Sequence, residues 1–216
     1  MVFATHAAAL DYRRRRAGRA EAANDAADPL ADLGSRQRLK AGQRLFAQGD
    51  DAQHVYRVVS GCLRSNRLLE DGRRQVVGFH FAGDLVGLEP GDEHRCGAEA
   101  VGEAVVLRLR RDALDAAAAH DGAVAGLLWQ LSMLEHRFSQ EHASILGRAG
   151  ACERVSAFLT ELAGRMGGDA LDLPMSRQDI ADHLGLTIHT VSRTFSQLQE
   201  EGRIEADGPR RVRLRA

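Results

Sequence analysis

The sequence has little cysteine and no long apolar run, and both shortages exclude classes of protein. Its three cysteines lie far apart in the 216 residues and form no Cys-x-x-Cys pair, which argues against a disulfide framework and a clustered thiolate site. No segment approaches the roughly 20 apolar residues of a membrane span, and the N-terminus lacks the pattern of a secretory signal. We therefore expect a protein of the reducing cytoplasm that does not bind membranes.

An excess of charge of one sign is also missing. The 29 Lys and Arg residues nearly balance the 30 Asp and Glu residues, which gives a net charge of −1. This balance excludes a histone-like basic protein but not a DNA-binding protein, because a local basic face is sufficient for that. The chain shows no nucleophile motif, phosphate-binding loop or metal-ligand spacing, so we expect neither an enzyme nor a metal site.

Residues 1–34 are predicted to form an N-terminal tail. They are rich in Ala, Asp and Arg, and they show no sustained hydrophobic period. Four consecutive arginines at positions 13–16 could contact nucleic acid, although a solvated stretch explains them more simply. We assign no function to this tail.

Residues 35–121 are predicted to form an all-β domain of antiparallel strands, which could be a sandwich, a roll or a barrel. Glycines recur at positions 49, 61, 72 and 83, with short runs of alternating apolar and polar residues between them. Such spacing is typical of antiparallel strands joined by tight turns. Asp71-Gly72 in particular is a hairpin signal.

Residues 122–148 are predicted to form one long helix that dimerises. Its apolar stripe advances by alternating steps of four and three residues, apart from a break at Glu141, as in a coiled-coil seam. The stripe consists of Leu127, Leu131, Leu134, Phe138 and Ile145. The alternative is that this helix packs on the core of its own chain.

Residues 149–216 are predicted to form a winged helix-turn-helix. Ser176 and Thr187 are good N-caps for two short helices, and Gly185 supplies the turn between them. Alternating residues near the C-terminus then indicate a small β-wing. The expected fold class is therefore α+β, with an antiparallel β domain, a long helix and a winged helix-turn-helix in that order.

One face of the second short helix carries only polar side chains, which we assign to DNA bases. His189, Ser192, Arg193 and Ser196 share this face, and arginine is well matched to guanine O6 and N7. Contacts to the DNA backbone are assigned to Ser176, Arg177, Thr187, Thr190, Arg203, Arg211 and Arg213. The alternative is a solvated helix in a ligand-binding or interaction module that does not bind DNA.

Two motifs resemble those of the CRP/FNR family of bacterial transcription regulators, and most closely those of its FixK and FNR branch. The first comprises MSRQDIA at 175–181, LGLT at 184–187 and TVSR at 190–193, and the second is GFHFAGDLVG at 78–87. The resemblance implies that residues 35–121 form a sensor-like antiparallel β-roll, similar to a cyclic-nucleotide-binding domain. It also implies a homodimer that reads a palindrome in double-stranded DNA and works with RNA polymerase. Its half-sites would be TTGAT-like and about 34–36 Å apart.

The resemblance also implies a base-reading role for Ser192 and Arg193, and an activator of genes for low-oxygen or related metabolism. The sequence departs from the branch at His189, where a glutamate is usual. An imidazole can donate to or accept from several bases, so this position of the half-site is open.

Three sensing chemistries are known in the family, and none is expected here. An iron–sulfur cluster needs thiolates near the N-terminus, but residues 1–61 contain no cysteine. For a cyclic nucleotide, the nearest polar groups are Glu89 and Arg95, and Cys96 replaces the usual hydroxyl. The nine histidines are explained as surface or core residues more simply than as haem ligands. A ligand-dependent regulator, responding to cyclic nucleotide or haem, remains the alternative.

Cys152 is the candidate for redox control. The sequence places it near the start of a helix and between Arg148 and Arg154, and both features favour a thiolate. An inert, half-buried thiol is the competing interpretation.

Overall fold

The computed structural model describes residues 28–215, which divide between Gln140 and Glu141 into two compact units. The arginines at positions 13–16 and most of the predicted tail lie outside the described residues. The last part of that predicted tail belongs to the first unit, because Leu30 is fully buried in its core and β1 begins at Gly34. A tail boundary at residue 34 is therefore too late.

The first unit contains two four-stranded antiparallel sheets, in the orders β1-β8-β3-β6 and β2-β7-β4-β5. The strands are β1 Gly34–Leu39, β2 Arg44–Phe46, β3 His54–Ser60, β4 Cys62–Leu68, β5 Arg74–Phe81, β6 Leu85–Val86, β7 Gly97–Ala100 and β8 Ala104–Arg110. The Asp71-Gly72 hairpin joins β4 to β5 as predicted, with Gly72 at φ 80°. The β-roll is thus confirmed.

Two helices follow the strands, and the sequence predicted only the second. α1 spans Arg111–His120 and α2 spans Gly122–Leu146. The buried Leu114 and Val124 join the apolar cluster around Leu30 and Leu109, so both helices contribute to the core of the roll. α1 was missed because its alanine-rich sequence has only one fully buried apolar residue, too few for a visible period.

The second unit contains α3 Ala151–Met166, α4 Arg177–Leu184 and α5 Ile188–Glu200. A three-stranded antiparallel sheet, β10-β11-β9, completes it with β9 Ala170–Asp172, β10 Ile204–Asp207 and β11 Arg211–Leu214. α4 and α5 are joined at Gly185, whose φ of 64° lies in the left-handed region that glycine tolerates. The helix-turn-helix and its wing are therefore present as predicted, with an added third strand in the wing.

The core of the second unit lies where α3, α4 and α5 meet. The apolar residues that α4 and α5 contribute to this core are all buried: Ile180, Ala181, Leu184, Val191, Phe195 and Leu198. Among residues 28–215, no helix is long and apolar enough to cross a membrane.

Candidate nucleic-acid interface

The second helix of the motif, α5, exposes the four side chains that were assigned to DNA bases. His189, Ser192, Arg193 and Ser196 are all exposed and lie on the face opposite the buried Val191, Phe195 and Leu198. The Thr187 hydroxyl accepts a hydrogen bond from the Thr190 backbone amide at 3.1 Å and thereby fixes the start of the helix. The structure thus presents one polar face on a well-packed helix.

The start of α4 is held by a reciprocal capping arrangement. The Ser176 hydroxyl accepts from the Asp179 backbone amide at 3.1 Å, and an Asp179 carboxylate oxygen accepts from the Ser176 backbone amide at 3.0 Å. This capping box stabilises the first turn of the helix. Ser176 is exposed beside it, so a contact to a DNA phosphate stays a prediction.

Arg177 does not extend into solvent as the assigned phosphate contact suggested. Its guanidinium lies over the ring of Phe195, with the Cζ atom 3.1 Å from the ring centroid. Burial lowers the pKa of Arg177 to about 10, which still leaves it charged at neutral pH. Arg177 therefore joins α4 to α5 through a cation–π contact.

The arginines assigned to the wing differ in their surroundings. Arg203 contacts α3, since its Nη2 donates to the Ser156 hydroxyl at 3.0 Å and its Nη1 lies 3.4 Å from Cys152 Sγ. Arg211 is exposed and pairs loosely with Asp207 at 3.7 Å, and Arg213 is exposed on the same strand. Arg211 and Arg213 thus fit a phosphate-facing wing better than Arg203 does.

Cys152 lies in the first turn of α3, as the sequence predicted, but its neighbouring cation is different. Arg154 is turned away toward backbone carbonyls, and Arg203 is the arginine beside the thiol. The sequence could not show this contact because 51 residues separate the two side chains.

The predicted dimer stripe is partly used within the chain. Leu127 and Leu131 pack against the core of the roll together with Leu128, while Phe138 and Ile145 are buried and Leu134 is half-buried. The opposite face of α2 carries large apolar residues at the surface, with Trp129 70% exposed and Met133 48% exposed. Two large apolar residues four positions apart, outside the main stripe, are the signal in the sequence that would have identified this face.

The groups considered for a cyclic nucleotide are engaged with one another. The two carboxylate oxygens of Glu89 contact His94 Nδ1 at 2.8 Å and the Arg95 backbone amide at 2.9 Å. The His94 ring is buried and stacks on Phe46, with ring centroids 3.6 Å apart. Glu89 and Arg95 are thus in contact through the Arg95 backbone, while the Arg95 side chain is exposed.

Arg111 closes the same loop from the start of α1. Its guanidinium donates to the carbonyls of Gly87, Glu89 and Gly91 at 3.0, 2.8 and 2.8 Å. The sequence gave no sign of this role, because Arg111 lies about 20 residues from the loop and belongs to a helix that the hydrophobic pattern did not reveal. The loop is thus tied down by side chains of the chain itself.

The histidines weighed as haem ligands are dispersed. His80 Nε2 lies 2.6 Å from the Ser65 hydroxyl, His120 Nδ1 contacts the Ala116 carbonyl, and His142 Nε2 contacts the His183 carbonyl. In residues 28–215, no three side chains of the metal-binding types converge on a common point.

Comparison with known proteins matches both units to described domains. Residues 36–121 match the cyclic nucleotide-binding domain, and residues 153–216 match the Crp-like helix-turn-helix domain. The chain is 44% identical to the nitrogen fixation regulation protein FixK of Azorhizobium caulinodans over 206 residues, which cover 91% of this chain and 83% of that protein. It is 43% identical to the FixK protein of Rhizobium meliloti, covering 76% of this chain and 75% of that one.

A solved structure agrees with these matches. FixK2 from Bradyrhizobium japonicum superimposes with a TM-score of 0.79 at 41% identity, covering 85% of this chain and 93% of that one. Together with the polar face of α5 on a packed helix-turn-helix, these similarities establish that the chain is a DNA-binding transcription regulator of the CRP/FNR family, similar to FixK.

Proposed function

We propose that the protein is a homodimeric, FixK-like transcription activator that reads a palindromic DNA site in the cytoplasm without a bound small ligand. The observation that carries the proposal is the exposed face of α5, where His189, Ser192, Arg193 and Ser196 lie together above a buried apolar face. Side chains of this kind, presented on one rigid helix, suit the edges of bases in the major groove.

Fluorescence anisotropy tests the DNA-binding step. The purified protein is titrated in air onto a palindromic duplex with two TTGAT-like half-sites, and onto a scrambled duplex at the same salt concentration. We expect tighter binding to the palindrome by at least about a thousandfold, the usual margin of specific over non-specific sites. Weak and equal binding would reject the half-site, and selection from random DNA would then show whether His189 has changed the sequence that is read.

The alternative, a module that does not bind DNA, predicts no binding to any duplex and no salt dependence. The wing favours the DNA-binding function, because Arg211 and Arg213 are exposed on β11 in the same unit as α5. Arginines that contact phosphate make the affinity fall steeply as salt is raised. A binding curve insensitive to salt would therefore support the alternative.

The second copy of the chain is proposed to pack on Trp129 and Met133 of α2. These are exposed large apolar side chains on one face of a 25-residue helix, and such a face is characteristic of an interaction surface. Trp129→Glu should shift the sedimentation coefficient from dimer to monomer and weaken binding to the palindrome. Leu68→Glu, at an exposed leucine of the β4–β5 hairpin, is the matched control and should leave the dimer intact.

We further infer that the roll does not take a cyclic nucleotide. Each oxygen of Glu89 already has a partner within the loop or on His94, so a ribose hydroxyl would have to share this carboxylate with them. Calorimetry with cyclic AMP and cyclic GMP should show no heat of binding. Micromolar binding of either nucleotide would replace this part of the proposal with the ligand-dependent alternative.

We also propose the role that the family resemblance implies, which is activation of low-oxygen or related metabolic genes together with RNA polymerase. Relatives that are named as a nitrogen fixation regulation protein and as a transcriptional activator support the activating part of this role. The test is transcription in vitro from a promoter that carries the selected site.

Cys152 is the proposed redox control point, and the neighbouring cation is Arg203. Peroxide should reduce DNA binding of the wild type, and Cys152→Ser should abolish this response; persistence of the response would reject the role of this residue.

A further inference from the structure

The C-terminal end of α4 is held by side chains from two other helices. The last four carbonyls of an α-helix have no partner within it, and in α4 these belong to residues 181–184. The Ala181 carbonyl accepts from the Gly185 and Leu186 amides, which close the turn. The carbonyls of His183 and Leu184 have partners from elsewhere in the chain.

His142 and Arg154 supply those partners. His142, in the last turns of α2, donates from Nε2 to the His183 carbonyl at 2.8 Å. Arg154, in the first turn of α3, donates from Nη1 to the Leu184 carbonyl at 3.1 Å. Two adjacent carbonyls at the end of α4 are thus bonded to two different segments of the second unit, which are α3 and the part of α2 that follows residue 140.

Both side chains make a second contact that fixes their positions. The His142 ring stacks on the His183 ring, with centroids 3.8 Å apart and planes inclined by 6°. Arg154 Nε donates to the Arg148 carbonyl at 2.9 Å, in the linker between α2 and α3. A single guanidinium therefore joins the linker to the turn of the helix-turn-helix.

The charge at this end of α4 is also favourable. A helix C-terminus carries partial negative charge, and a cation there is stabilising. Arg154 supplies that cation, whereas burial lowers the pKa of His142 and favours its neutral form. Neutral His142 can donate from Nε2 only as the tautomer that is protonated there, which is the form that the carbonyl partner selects.

We infer that His142 and Arg154 are positioning residues that set the direction of α5 relative to the end of the long helix. The inference rests on DNA binding through α5 and deepens it. The turn at Gly185 leads directly into α5, so a tether on the two preceding carbonyls limits the motion of the base-reading face. In a dimer, this restriction selects DNA sites with one separation between half-sites.

The test compares duplexes that differ only in half-site separation. Affinities are measured for the preferred palindrome and for palindromes with one base pair added or removed, and their ratio is the spacing selectivity. Arg154→Met keeps the apolar stem and removes the donors, and His142→Phe keeps a ring on His183 and removes the N–H. Arg154→Met should lower spacing selectivity by about tenfold, the scale of one lost charge-assisted hydrogen bond, and His142→Phe by about fivefold, the scale of one lost neutral hydrogen bond.

Matched variants separate positioning from a loss of stability. Arg148→Met removes an exposed side chain while leaving its carbonyl in place, and His142→Gln keeps a donor without the ring. Both should retain most of the spacing selectivity. If the Arg154 and His142 variants bind all three duplexes more weakly by one common factor, the role is merely structural and the inference is wrong.

Amide hydrogen exchange gives a test that needs no DNA. The Gly185 and Leu186 amides donate within the turn, so Arg154→Met should speed their exchange by at least threefold while leaving amides of β10 and β11 unchanged. Unchanged exchange in the turn would overturn the inference even if DNA binding is normal. If Arg154→Met speeds exchange in the turn but the wild-type protein binds no duplex, the tether is supported and the proposed function is rejected instead.

Discussion

The two units of the chain use their polar side chains in opposite ways. In the roll, Glu89, His94 and Arg111 are engaged with one another or with carbonyls of a single loop. In the helix-turn-helix, His189 and Arg193 stand at the surface of α5 above a packed interior. Groups satisfied within the chain make a poor ligand site, whereas exposed groups on a rigid helix make a good binding face. The comparison places the partner of this protein on the second unit.

The largest expected effect concerns the exposed polar face of α5. Arg193→Ala should weaken binding to the specific duplex by about 1–3 kcal/mol and relax the preference for one base pair, because a base-contacting arginine is lost. Anisotropy on specific and scrambled duplexes measures both changes. Arg95→Ala removes an exposed arginine of the roll and should change neither affinity. Equal losses on the two duplexes would contradict base reading by Arg193.

The second largest expected effect concerns the loop of the roll whose carbonyls are bonded to Arg111. Arg111→Met should lower the free energy of unfolding by about 2 kcal/mol, because three loop carbonyls lose a charged donor. Urea unfolding followed by circular dichroism measures the change. Arg110→Met is the matched control, since this neighbour is 71% exposed and pairs with Asp112 at the surface, where a pair contributes at most about 1 kcal/mol. Similar losses in both variants would show that the loop is not held by Arg111.

A third, smaller effect tests the contact between α4 and α5. Arg177→Lys keeps the charge but loses the flat guanidinium that lies on Phe195. We expect a loss of about 1 kcal/mol in unfolding free energy, because the stacked geometry is specific to arginine. Arg213→Lys on the exposed wing should have no effect on stability. If the two substitutions are equally harmless, Arg177 is free to contact phosphate as the sequence first indicated.

The parts of this fold that follow local rules could be predicted from the sequence. Glycine spacing and alternation predicted the antiparallel β domain, and the family resemblance specified a roll. The caps at Ser176 and Thr187, with the turn at Gly185, predicted the helix-turn-helix and its exposed face. These signals depend on residues within a few positions of one another.

The contacts that bridge distant segments could not be predicted. Arg203, which the sequence assigned to phosphate, contacts Ser156, 47 residues away, and His142 meets the His183 carbonyl across 41 residues. A long, flexible cationic side chain has many partners within reach, and the sequence does not say which carbonyl or hydroxyl is nearest. Leu127 and Leu131 show the same limit for apolar residues, because one stripe can face either a partner or its own core.

The smallest expected effect is on the pH dependence of folding stability, and it is tested with one histidine from each unit. Burial lowers the pKa of His142, and burial together with Arg108 lowers that of His54, both from 6.5. The unfolded chain then binds the proton more readily than the folded one, so each histidine leaves stability intact above about pH 6.5 and reduces it as the pH falls toward its lowered pKa.

His142→Gln should therefore flatten the fall of the urea midpoint between about pH 7 and pH 5 more than His54→Gln does. The reason is burial, because the half-buried His142 ring stacks on the His183 ring, whereas His54 begins β3 with Arg108 and Arg110 nearby. A steeper fall in His142→Gln would mean that the imidazole of His142 gains stability from its proton. Equal flattening in both variants would show that the two histidines lie in similar surroundings. It would then contradict the contrast between the polar side chains of the two units.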